Sequence, residues 1–279
     1  MKMKDKLILM IKGFFMGIAN IIPGVSGGTL AITMGIYEDL INAISHFFTK
    51  LKQNIAFLLP VGIGAVISIL LGSKVIGYSL ENFPLPTILF FVGLILGGLP
   101  MLSRKTKGNM TKKNIIIFLA TFVFVIALMF LKTGKQVSFA SMNILSYILL
   151  FFVGMIASAT MIIPGISGSF MLMVMGYYQP IINTINTLTK MQDIGKCFMI
   201  LIPFGLGVLV GIVLIAKLIE FLFKKYEVPT YFGIIGFVLA SIIGIFTSTA
   251  NLTFALVPFI IGLVLFAIGF VIAYKLGDE

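Results

Sequence analysis

The residues best suited to chemistry in this chain stand in two copies of one short pattern. Ile21-Ile22-Pro23-Gly24-Val25-Ser26-Gly27-Gly28-Thr29 returns 141 residues later as Ile162-Ile163-Pro164-Gly165-Ile166-Ser167-Gly168-Ser169-Phe170. Each copy runs on without a gap to Met-Gly-x-Tyr, Met34 to Tyr37 and Met175 to Tyr178, with 9 of 17 positions identical. Proline lacks an N–H and glycine tolerates dihedrals other residues avoid, so a Pro-Gly step inside apolar sequence interrupts a helix. A helix restarting after the break leaves its first backbone N–H groups unpartnered and carries about half a positive charge there, which suits phosphate or carboxylate. Ser26, Thr29, Ser167 and Ser169 would add hydroxyl donors, while Gly24, Gly27, Gly28, Gly165 and Gly168 would let an anion approach the backbone. The same small residues would also serve close helix packing. Two copies of the same break and the same serine weigh towards an anion site.

Other polar residues each have two readings. Glu38-Asp39 is the only acidic pair adjoining a membrane arm, and its repeat counterpart is Gln179-Pro180. A partly buried carboxylate would take up a proton as coupling ion; one about 20 Å from the break would simply lie at the membrane interface. Lys74 and Lys217 fall at equivalent helix ends and would either receive a negatively charged lipid headgroup or snorkel to the surface. Asn20, Asn42 and Asn183 are polar lining on one reading and helix-capping or interhelical groups on the other. Tyr37 and Tyr178 read as aromatic belt residues, and His46 as a loop residue.

The elements that must position these residues are membrane helices. With 59% hydrophobic and 10% charged residues and a mean hydropathy of +1.16, the chain is a polytopic membrane protein. The basic N-terminus lacks a small-x-small cleavage site and is expected to be retained. The net charge of +11 is spread between apolar segments, so it speaks for lipid headgroups and topology, not for a nucleic acid partner. A single Cys197 and a single His46 exclude an internal disulfide and a His/Cys metal cluster. An intramembrane lipid phosphatase would want a histidine nucleophile and arginine clamps, and the chain has only His46 and Arg104, both assigned to loops. No enzyme, cofactor or metal is therefore expected.

Ten apolar segments divide five and five: Leu7–Ile22, Val25–Ser45, Ile55–Gly72, Pro86–Leu102 and Asn114–Leu131, then Leu145–Ile163, Ile166–Leu188, Phe198–Lys217, Thr230–Thr247 and Leu252–Tyr274. Pro60-x-Gly62-x-Gly64 matches Pro203-x-Gly205-x-Gly207, and Pro86-Thr87 matches Pro229-Thr230. Residues 1–135 and 136–279 thus read as two repeats of one all-α integral membrane domain. The arms around the first break are too short to span, about 15 and 20 Å, so the first motif reads as a re-entrant hairpin with its tip near the midplane. The second, after the longer Leu145–Ile163, is a hairpin or a pair of spans. Either way, about three further helices give each half an odd number of crossings, which inverts the second half. With both termini cytoplasmic, 15 of 20 basic residues fall inside, and only Lys74, Lys132, Lys135, Lys190 and Lys196 fall outside.

On these residues the chain resembles a known family. Gly17, the run Pro23 to Thr29, Gly35-Ile36-Tyr37, and Pro164 to Ser169 with Gly176-Tyr177 are similar to the bacterial polyprenyl-phosphate (undecaprenyl-phosphate) transporters of the PopT type, long described as a domain of unknown function. The resemblance covers essentially the full length. It implies translocation of undecaprenyl phosphate from the outer to the inner leaflet of the bacterial plasma membrane, recycling the carrier for peptidoglycan and other wall polymers, with the phosphate on the two motifs. Where the first copy has Gly28-Thr29 the second has Ser169-Phe170, so the second is expected to offer fewer donors. A small-anion channel or symporter would use the same helix ends, and a non-transporting assembly role also stays open.

Overall fold

The computed structural model describes residues 3–20, 22, 25–139, 142–249, 252 and 255–278. Pro23 and Gly24 of the first break lie outside the described residues. The first half contains α1 (Met3–Ala19), α2 (Gly27–Thr33), α3 (Tyr37–Ser45), α4 (Leu51–Ile67), α5 (Ser73–Asn82), α6 (Pro84–Thr106) and α7 (Lys112–Met129). A π turn, Ser68–Gly72, joins α4 to α5. The second half contains α8 (Ile144–Ile162), α9 (Gly168–Val174), α10 (Tyr178–Thr189), α11 (Ile194–Ser248) and α12 (Leu256–Asp278). Among the described residues, six helical stretches are long and apolar enough to cross a membrane. Their outer faces leave side chains such as Leu70, Leu71, Leu209 and Val264 exposed. The chain is a multi-pass membrane protein.

The repeat persists in backbone detail. Phe83 separates α5 from α6 at φ −135°, ψ 55°, and Tyr226 kinks α11 at φ −137°, ψ 50°. Pro86 and Pro229 stand three residues on, where the missing N–H and the ring prevent a straight helix. Thr87 and Thr230 each donate their hydroxyl, at 2.7 Å, to the carbonyl of the kink residue. The segments Phe198–Lys217 and Thr230–Thr247 fall on two helices, the limbs 194–225 and 227–248 of α11, which meet at the Tyr226 kink. Lys217, exposed, is not at a helix end as expected, because the first limb of α11 runs on to the kink, whereas Lys74, also exposed, stands in the first turn of α5.

Glycine sets the helix spacing. A Cβ on Gly13 would lie 2.1 Å from the Val61 carbonyl oxygen and one on Gly17 2.0 Å from the Ser68 hydroxyl, so α1 and α4 run parallel in close contact. The second half repeats this: Gly154 meets Phe204 as Gly13 meets Val61, and at the other contact glycine and serine change places, with Gly211 of α11 on the Ser158 hydroxyl of α8. Because α1 is parallel to α4, and α8 to the first limb of α11, the chain between them must double back both times. The second motif therefore also stands where the chain reverses, after an arm, α8, that is itself long and apolar enough to cross a membrane.

Each returning arm is itself broken, which the sequence reading of one continuous arm from Val25 or Ile166 did not anticipate. Gly35 and Gly176 take φ +71° and +80°, values a side chain resists, and they split α2 from α3 and α9 from α10. The Met-Gly-x-Tyr repeat is thus a second interruption. The linker after Lys132 braces the later one, with Gly134 N–H donating to Met173 O and Val137 N–H to Gly176 O, both at 3.1 Å.

The halves interlock. Gly93 and Gly97 of α6 approach the carbonyls of Phe266 and Phe270 in α12, and Gly236 in the second limb of α11 approaches Phe118 in α7. The last helix of each repeat therefore packs on the other repeat. The main core surrounds α6, where Ile88, Phe91, Leu94 and Ile95 meet Leu30 and Met34 of the first motif segment.

These contacts give the paired Pro-x-Gly-x-Gly motifs a test. A Cβ at Gly64 or Gly207 would stand 1.9 Å from a carbonyl oxygen of the neighbouring helix, whereas Gly62 and Gly205 have open space. Gly64→Ala and Gly207→Ala should each destabilise the protein by about 1–3 kcal/mol through overpacking. Gly62→Ala and Gly205→Ala should be neutral or stabilising by up to about 1 kcal/mol. Thermal melting in detergent separates the two pairs.

Candidate functional site

The two motifs meet. Gly165, held at φ +78°, donates its backbone N–H to the Thr29 hydroxyl at 2.8 Å, and the Tyr37 hydroxyl donates to Ile162 O at 3.1 Å. Gly28 and Gly165 have no room for side chains: a Cβ would fall 2.6 Å from Ile162 O and 2.4 Å from Phe237 O. Tyr37 is 4% exposed, so it is a buried strut between the motifs and not a belt residue.

From this contact the two copies diverge. All of α2 is buried, and the N–H groups that open it are bonded locally. Ser26 is the N-cap and accepts from Thr29 N–H at 3.3 Å, while Asn20 accepts from Gly27 N–H at 3.3 Å and donates to Met16 O at 3.2 Å. Ser26, Gly27, Gly28 and Thr29 thus form a packed junction. At seven residues each, α2 and α9 are too short for the half charge expected of a full helix, so local donors are what either end can offer.

The second copy faces open space. Ser167, Ser169, Gly165, Asn20, Tyr178 and Thr247 line a cavity of about 590 Å3, with Val125 and Met129 among its apolar walls. The Ser167 and Ser169 hydroxyl oxygens lie 2.7 Å apart, and α9 begins without a side-chain cap. The expectation that the second copy offers fewer donors counted residues correctly and missed burial: Ser26 and Thr29 are 2% and 0% exposed, whereas Ser167 and Ser169 line the cavity. Gly168 serves packing, since a Cβ there would meet Met161 at 2.4 Å. Thr247 and Thr133 also line the cavity. Neither lies in a repeated motif, so no sequence signal pointed to them.

The remaining candidates lie elsewhere. Asn42 and Asp39 are exposed on α3; Asn183 is exposed on α10, accepts from Gln179 at 2.9 Å and borders a different hollow. Glu38 accepts a hydrogen bond from Tyr231 across the repeat boundary, and Lys105 stands 4.0 Å from Glu38 and 3.8 Å from Glu227. Outside the six long helices, the Glu38 carboxyl is raised above its ordinary range by burial, against the pull of Lys105 and with Glu227 and Asp39 adding to the rise. His46 lies in the turn that follows α3, as a loop residue would, with its Nδ1 3.6 Å from Glu220; Arg104 is not a loop residue but stands in the last turn of α6 and donates to the Tyr274 hydroxyl at 3.4 Å. Among the described residues, no three His, Cys, Asp or Glu side chains gather closely enough to hold a metal.

Comparison with known proteins places this arrangement. The family model described as undecaprenyl phosphate translocase-like matches residues 16–259, a span that includes both motifs. The polyprenyl-phosphate transporter of Staphylococcus aureus is 34% identical over 277 residues, 98% of this chain and 96% of that protein. The polyprenyl-phosphate transporter of Vibrio cholerae is 28% identical over 255 residues, 86% of this chain and 78% of that one. No solved structure matches. With most of its length inside that family model and the staphylococcal relative aligned nearly end to end, the chain belongs to the undecaprenyl phosphate translocase-like family.

Proposed function

We propose that this protein carries undecaprenyl phosphate, or a close polyprenyl phosphate, from the outer to the inner leaflet of the bacterial plasma membrane for reuse in wall-polymer synthesis. The observation that carries the reading is the cavity at the second motif, where a pair of serine hydroxyls and the Asn20 amide meet hydrocarbon walls. A lipid phosphate needs donors for its head, while its tail can remain in the bilayer. About 590 Å3 falls in the usual range for small-ligand pockets. The names of the two relatives agree with this substrate class.

In this reading the two halves are inverted repeats, a relation that the two doubled-back arms and the exchanged helix packing support. The basic face, with Arg104, Lys105, Lys112 and Lys113, is cytoplasmic together with both termini. The coupling ion is the proton, taken up at Glu38, whose raised affinity and bond to Tyr231 tie one repeat to the other.

Replacing Ser167 and Ser169 together by alanine should lower lipid-phosphate scrambling in proteoliposomes roughly 10- to 100-fold, the worth of one or two hydrogen bonds to a charged group. Ser26→Ala should instead cost about 1 kcal/mol of stability through its lost cap and leave transport by the folded fraction intact. Uptake of labelled inorganic phosphate or chloride, without movement of the lipid, would favour a small-anion transporter.

A pH gradient imposed across the vesicles should accelerate wild-type transport in one direction. Glu38→Gln should abolish that response while keeping transport at uniform pH. An unchanged gradient response in Glu38→Gln would remove the proton from this residue.

A further inference from the structure

A second cavity, about 450 Å3, lies across the motif junction from the serine chamber. It sits between α7 and the two limbs of α11, which the kink at Tyr226 holds apart, and Ile163 and Pro164 of the second motif close one side. Its walls are almost entirely hydrocarbon, including Ile117, Leu218, Leu222 and Ile234. Between the two chambers stands a separate small core of Val125, Ile166 and Ala240, which are 1%, 4% and 0% exposed, with Phe237 packed against it.

The mouth of this second chamber is charged. Lys113 lines it, and its Nζ lies 5.9 Å from the centre of the Tyr226 ring, which Lys225 also approaches at 5.5 Å. Among the described residues, neither lysine is in an ion pair. Two ammonium groups drawn to one ring repel each other, and an anion beside them would relieve that repulsion. A hydrocarbon chamber with cations only at its mouth matches an anionic amphiphile. Inorganic phosphate would find no donors inside, and a neutral lipid would leave the lysines unused.

Resting on the carrier function proposed above, we infer that this chamber is a second lipid-phosphate site on the basic face. Lys113 takes the phosphate, and the first isoprene units of a single chain fill the space between the limbs of α11. The site is separated from the serine chamber by the Val125–Ile166–Ala240 core, so the protein holds one substrate class in two chambers, each bordered by α7 and the second limb of α11.

The test uses the purified full-length protein and a photoactivatable farnesyl phosphate, with crosslinked peptides read by mass spectrometry. Gly233 allows the chamber to be filled without a backbone clash, because a Cβ there has ordinary contacts at 3.5 and 3.6 Å with Thr121 and Ile117. Crosslinks are expected in 215–237, competed by farnesyl phosphate and not by inorganic phosphate. Gly233→Leu should lower them at least tenfold. Lys113→Glu should abolish the preference for farnesyl phosphate over farnesol, and Ser167→Leu should leave them in place. Gly233→Ala, which leaves most of the space open, should crosslink nearly as wild type and guards against misfolding of the leucine variant. Crosslinks in 215–237 that survive both Gly233→Leu and Lys113→Glu, or that inorganic phosphate removes, would overturn the inference. Crosslinks confined to the serine chamber would overturn it while sparing the carrier reading, and labelling at neither chamber would remove both.

Discussion

The bond from the Gly165 N–H to the Thr29 hydroxyl is the constraint on which the architecture turns. Inside a membrane an unpartnered amide costs several kcal/mol, and a helix interrupted by Pro-Gly creates such amides. Here one repeat answers the other's open donor. The aligned differences follow from that division of labour. Thr29 supplies the acceptor, so its counterpart Phe170 is free to become cavity wall; Gly28 must admit the carbonyl of Ile162, so only its counterpart, Ser169, can carry a hydroxyl. A duplication that began with two equivalent breaks has become a keystone and a chamber.

The chamber's chemistry is mild. Hydroxyls and an amide line it, with no lysine or arginine among its lining residues. A planar guanidinium would clamp a phosphate through two charge-assisted bonds, which favours residence over passage. Under the carrier reading proposed above, neutral donors would shelter the headgroup with shallower binding, as a pathway requires if whatever enters must also leave. The cations lie at the basic face, near the kinks, where Lys105 bridges Glu38 and Glu227.

Much of the fold was legible because helix breaks and apolar lengths are local properties. The doubled motif, the positions of the long helices and the matching Pro86 and Pro229 all follow from residue type and spacing. What could not be read was which polar atoms already had partners. Ser26 and Ser167 are the same residue at the same place in the repeat, yet one is buried and accepts from the Thr29 N–H while the other lines a cavity with its hydroxyl against Ser169, whose counterpart is Gly28. The second interruption was hidden for another reason: Gly35 and Gly176 take positive φ, and a lone glycine in apolar sequence is as readily a packing residue. The run of α4 through a π turn into α5 could not be read either, because the apolar segment ends at Gly72 while the helical backbone continues to Asn82.

The exchange of final helices between the repeats bears on how the protein is made. The glycine-lined face of α6 waits for α12, more than a hundred residues further along the chain, so an emerging first half is inserted before its own core can close. During synthesis that face must be masked by lipid, by an insertase or by a neighbouring nascent helix. Quality control should therefore sense completion of the C-terminal helix more sharply than any step before it.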